Sequence, residues 1–141
     1  MGNRFQDLKD RRDAEWACKQ RAAKARADQR ARDSAYRTEI ADLYDSMVRS
    51  VLCDLRDAAY SRYARLEAHE GSGEVLWCWE ITSDHSNYGD HWTEREVQVL
   101  LLADQSGAAA GFECSGYKTE RTIRCGLSEA ALVDALRRLH T

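Results

Sequence analysis

The sequence predicts an α+β fold: a long N-terminal helix, a four-stranded antiparallel meander and a C-terminal helix. Three observations lead there. No glycine occurs between Gly2 and Gly71 and no proline occurs anywhere, so the strongest helix breakers are missing from the first half. After Gly71-Ser72-Gly73 the apolar residues change from helical to alternating spacing. Behind Ser128 the helical spacing returns. The 141 residues suit one domain large enough to bury a core without a covalent staple.

Residues 3–69 read as helix, on the order of 100 Å long if unbroken. Asp33-Ser34 is the candidate break, because both residue types favour helix N-caps. From Tyr36 onward a broad apolar stripe (Ile40, Leu43, Tyr44, Met47, Val48, Val51, Leu52, Leu55, Tyr63, Leu66) marks a core-facing helix over 36–69. Before Tyr36 the stripe is mostly alanine, with Phe5, Leu8 and Trp16 as the large apolar residues. The predicted organisation is a basic Ala/Arg-rich arm, 1–35, and an α+β domain, 36–141. Gly71 is expected at the helix C-terminus.

Within the second part, strands are expected from about 74 to 125. Glu74 to Ser83 alternates Val75, Trp77, Trp79 and Ile81 against Leu76, Cys78, Glu80 and Thr82. Trp77 and Trp79 read as a core ridge, although an aromatic face can also stack bases or sugars. Asp84 to Glu94 reads as a polar loop, Arg95 to Ala103 as a second strand, Ala109 to Ser115 as a third and Tyr117 to Cys125 as a fourth, polar enough for an edge. Ser128 caps the last helix, 128–140, with Leu127 stapling to Leu132.

Charge is unevenly placed. The net charge is −3, but residues 1–38 carry +5 and residues 39–141 carry −8. A basic arm joined to an acidic body suggests contact with a polyanion or electrostatic self-association. Arg12, Lys19 and Arg26 recur every seven residues, as do Arg30 and Arg37, giving a basic helix row that Asp10, Asp13, Glu15, Asp28 and Asp33 dilute. Mixed charge of this kind also suits a solvated helix laced by pairs such as Glu15–Lys19. The arginine and alanine bias is common in proteins of GC-rich bacteria and their phages. The polar segment Met1 to Lys9 shows no secretory signal, and no apolar run is long enough to span a membrane, so a cytoplasmic protein is expected. The five cysteines are odd in number and lack C-x-x-C spacing, which favours free thiols; Cys78, Cys114 and Cys125 are the conceivable zinc set.

Phosphate-binding glycine loops, nucleophile elbows and dinucleotide fingerprints are absent, and no catalytic residue or cofactor is expected. The densest group of reactive side chains is Asp84, His85, Asp90 and His91, types that bind transition metals or polarise a water. The leading expectation is a non-enzymatic interaction module, an adaptor, assembly factor or inhibitor. It would self-associate or dock on a protein partner through its helix, using Arg12, Trp16, Lys19, Arg26 and Arg30, with Tyr88 and Trp92 as further contacts. The second is a nucleic-acid-binding arm, whose affinity would fall steeply with salt. The third is a metal-dependent enzyme at Asp84, His85, Asp90 and His91. A fourth, consistent with the acidic 39–141 region, is an inhibitor that mimics nucleic acid.

Overall fold

The structure, a computed structural model, describes residues 4–141. Helix α1 runs Gln6–Ala59, followed by β1 (Arg65–Glu70), β2 (Val75–Asn87), β3 (Asp90–Ala103), β4 (Ala109–Gly116), β5 (Thr122–Cys125) and α2 (Glu129–Leu139). The strands form one antiparallel meander in the order β1-β2-β3-β4-β5. The expected α+β class holds, with five strands in place of four. By compactness the chain divides into a unit ending at Tyr36 and a unit spanning Arg37–Thr141.

Helix α1 passes through Asp33-Ser34 without a break. The reason is visible in the side chains. The Gln29 amide donates to Asp33 Oδ1 at 2.9 Å and Arg32 donates to Gln29 Oε1 at 2.8 Å. The Asp33 carboxylate is thus engaged along the helix surface, where such i, i+4 pairs favour continuation, rather than capping a new start.

The predicted helix over 36–69 stops at Ala59, ten residues early. Ser61 Oγ accepts the Tyr63 N–H and the Ser61 carbonyl accepts the Ala64 N–H, forming a tight corner. The residues behind it then pair with β2, Leu66 opposite Ile81 and Ala68 opposite Trp79. Leu66 and Ala68 fit either spacing over so short a run, and cross-strand pairing decides the outcome. Tyr63, expected on the apolar stripe, is exposed. Gly71 belongs to the β1–β2 hairpin instead of a helix end. A Cβ there would press on the Val75 carbonyl, so the close approach excludes a side chain.

The expected loop over 84–94 is instead two long strand ends. Tyr88 and Gly89 both take positive φ, 49° and 89°, in a two-residue turn between the paired Asn87 and Asp90. Turns of that handedness match the strand twist and continue the ladder to the tip. At the other end, β5 begins at Thr122 rather than Tyr117 and forms the far edge of the sheet.

One face of the sheet carries the core. Val48 and Leu52 of α1 and Leu132, Ala135, Leu136 and Leu139 of α2 pack with Trp79, Ile81, Val97, Val99, Leu101, Phe112 and Cys114. Phe112 is the centre of an aromatic group, edge-on to Tyr44 at 5.9 Å and to Trp79 at 6.3 Å between centroids. Buried Trp79 satisfies its indole N–H on Asp45 Oδ1 at 2.9 Å. That bond removes the cost of an orphaned donor in the core. Trp77 is half-buried against the same cluster, so both tryptophans serve the core. Ser128 caps α2 as expected, its hydroxyl accepting the Ala131 N–H at 3.1 Å, and Leu127 packs on the core beside it.

Candidate functional site

The arm is helical from Gln6, so its side chains can be placed around the axis. At about 100° per residue, Leu8, Lys9, Arg12, Trp16, Lys19, Ala23, Arg26, Ala27, Arg30 and Ser34 share an arc roughly 100° wide. That arc holds five cations and no acid. The acids Asp7, Asp10 and Asp28 fall on the far side, while Asp13 and Glu15 flank the arc beside Arg12, Trp16 and Lys19, and Asp33 flanks it further along. Arg12, Trp16, Lys19, Arg26 and Arg30, the expected partner contacts, therefore form one face. All five are exposed, Trp16 at 65%. From Gln6 to Ala35 no residue is buried.

The second assembly lies at the tip of the β2–β3 hairpin. Tyr88 stands fully exposed in the turn. Trp92 pairs across the hairpin with His85, and the two rings stack at 5.5 Å with 16° between their planes. Asp84, His85 and His91 line one shallow pocket with Trp92, but Asp84 does not reach ligand spacing with His85. It accepts from Arg65 at 2.9 Å and from Thr93 at 2.8 Å. Asp90 and His91 are exposed near the turn. Of the four residues expected as a metal group, only His85 enters a group with ligand spacing, and its companions are Glu94 and Glu96.

A slip in strand register brings those carboxylates to His85. Ile81 pairs with Val97 but Thr82 pairs with Arg95, leaving Glu96 as the extra residue of a β-bulge. A bulge re-aims side chains. Here it directs Glu96 Oε1 to 3.8 Å from His85 Nε2, while Glu94 Oε2 lies at 3.2 Å. The bulge was not readable from the sequence, since Glu94 falls in the expected loop and Glu96 looks like an ordinary position of an alternating strand.

Glu96 also lines a cleft of about 520 Å³ with Tyr60, Lys118, Thr119, Arg121 and His140. In the neutral His140 ring, Nδ1–H donates to the Leu136 carbonyl at 2.7 Å, so Nε2 accepts from the Tyr60 hydroxyl at 2.6 Å. Burial, and next the Glu96 carboxylate, push the Tyr60 phenol above its ordinary value. These side chains tie the end of α1 to the end of α2.

A third group occupies the uncovered face of the sheet: His69, Cys78 and Glu80. Here the protein already supplies the donors. Glu80 Oε1 accepts from Gln98 at 3.3 Å and from the Cys78 thiol at 3.4 Å, and lies 3.4 Å from His69 Nε2 and 3.9 Å from Arg95. Burial, the largest cause, pushes the Cys78 thiol up to about 12. It is held as a neutral thiol, the form least suited to bind a metal. Cys114 lies on the core face, its thiol hydrogen-bonded to Cys125, and burial likewise raises it to about 12. Because Cys78 alternates with Trp79 and faces the other way, the conceivable zinc set of Cys78, Cys114 and Cys125 does not assemble. All five cysteines are free thiols.

Among the described residues no helix is long and apolar enough to cross a membrane. No protein-family model, curated protein or solved structure matches the chain.

Proposed function

We propose that this chain is a non-enzymatic protein-interaction module that self-associates through its helical arm, the basic face of one copy meeting an acidic surface of another. The basic face of Lys9, Arg12, Trp16, Lys19, Arg26 and Arg30, flanked by Asp13 and Glu15, carries this reading. Residues 39–141 bear −8, so every copy offers the arm an oppositely charged surface. Exposed acids such as Asp42, Asp54 and Asp57 on α1 and Glu67 and Glu70 on β1 contribute to it. Opposite charge steers association and fixes which surfaces meet. Trp16 adds the kind of exposed aromatic that anchors interfaces. Alanines at 23 and 27 let a partner approach the helix backbone closely.

Light scattering on the full chain tests the proposal against a variant carrying Arg12→Glu, Lys19→Glu and Arg26→Glu. These positions are exposed, so the fold tolerates the change. The expected mass at low salt is at least twice the 16.1 kDa of one chain. It should fall to one chain in the variant, and in roughly 1 M salt, where the Debye length is about 3 Å. A single-chain mass at low salt and about 100 μM protein, a concentration typical of weak association, overturns self-association. If that single chain binds duplex DNA with a steep salt slope, the arm is a nucleic-acid-binding element instead.

A further inference from the structure

We propose that His85, Glu94 and Glu96 form a binding site for a divalent transition-metal ion. This site is independent of the arm and of the interaction role proposed for it.

The geometry is that of a ligand set. His85 Nε2 lies 3.2 Å from Glu94 Oε2 and 3.8 Å from Glu96 Oε1, and all three atoms lie within 4.8 Å of one another. Tetrahedral zinc with ligands at about 2.0–2.1 Å sets neighbouring ligand atoms roughly 3.3 Å apart. The His85–Glu94 separation matches an edge of such a site, and the 3.8 Å to Glu96 is somewhat wider.

The group does not rest on carboxylates alone. His85 Nε2 is buried and makes no hydrogen bond of acceptable geometry, despite two carboxylates close by. A buried ring nitrogen without a bond is costly, and a metal ion satisfies it. Glu96 keeps only 11% of its side chain exposed, and the cation nearest it among the ion pairs is His85, if protonated. Two carboxylates facing one imidazole leave the group negative in either protonation state of the ring. A divalent ion balances that charge.

The supporting shell is also present. Trp92 stacks on the imidazole and fixes its plane. Its indole N–H donates to Glu94 Oε1 at 3.3 Å, which leaves Oε2 turned to His85. Outer partners that orient ligating carboxylates and imidazoles are a usual feature of metal centres. The bulge at Glu96 completes the set from a rigid strand rather than a loop. One imidazole and two carboxylates suit zinc, manganese or ferrous iron. Three protein ligands leave a coordination position for water or a small anion.

Isothermal titration of the chelator-treated full chain with zinc chloride and with manganese chloride tests the site. One equivalent of at least one metal is expected. Glu96→Gln and His85→Ala should each weaken binding at least tenfold, and Trp92→Phe less. Circular dichroism on each variant separates loss of ligand from loss of fold. Cobalt(II) gives an independent readout. Its visible bands should lack thiolate charge transfer and be unchanged by Cys78→Ser. No binding of either metal overturns the proposal. So does binding that survives Glu96→Gln with His85→Ala, or that is lost with Cys78→Ser, which would place the ion at the His69 group.

Discussion

The two halves of α1 share one backbone geometry and use it differently. From Gln6 to Ala35 nothing is buried; from Ala41 to Leu52 the helix buries Ala41, Val48, Val51 and Leu52. The first half is helical because alanine, arginine and glutamine favour it locally, with surface pairs such as Gln6–Asp10 and Gln29–Asp33 in support. The second half is helical because its stripe packs on the sheet. The lesson is that helix formation and core formation are separable. A helix half without buried residues keeps most of its side chains exposed.

The sharpest way to break this comparison is to remove one large side chain from each region. Phe112→Ala should lower the unfolding free energy by about 3–5 kcal/mol, since the ring is fully buried between Tyr44 and Trp79. Trp16→Ala should move it by no more than about 0.5 kcal/mol, because Trp16 is exposed. Urea denaturation at a concentration where the chain is monomeric measures both. Comparable losses would mean that the arm packs against the body.

A second test uses pH. Cys78 and Cys114 are raised by burial from an ordinary 9.0 to about 12. The unfolded chain therefore releases these protons first. The stabilisation they contribute is full below pH 9 and is lost as pH rises toward 12, so stability should decline over that window. The decline should be shallower in Cys114→Ala, measured relative to that variant's own stability at pH 7. An unchanged slope would show that other groups govern alkaline unfolding. The smallest expected effect is Ser128→Ala, about 1 kcal/mol from losing the α2 cap. A loss within about 0.5 kcal/mol, the range of ordinary surface changes, would show that another group satisfies the Ala131 N–H.

Much of the body was legible from residue patterns. Ser128 followed by a helical stripe marked α2, and the alternation through Trp79 and Ile81 marked β2. The residues over 65–70 were misread because Leu66 and Ala68 extend the helical stripe as well as they alternate. The Ser61 corner and the pairing with β2 decide between the two. The hairpin tip was misread because Asp, Ser, Asn and Gly are the residues of any loop. The usable signal was Tyr88-Gly89, one residue on either side of the centre of a symmetric polar run. In the candidate site, His85 was legible as a reactive type. Glu94 and Glu96 were not, because a bulge is a property of two paired strands.

The sequence by itself determined the helical arm, its charge, the alternating strands and the capped last helix. Each of these depends on residues within a turn or two of one another, where propensity, capping and periodicity act. Only the tertiary structure decided where α1 ends, that 84–94 is a hairpin, and that His85 meets Glu94 and Glu96. Those outcomes depend on pairing across the sheet, where register and one extra residue in β3 set which side chains share a face.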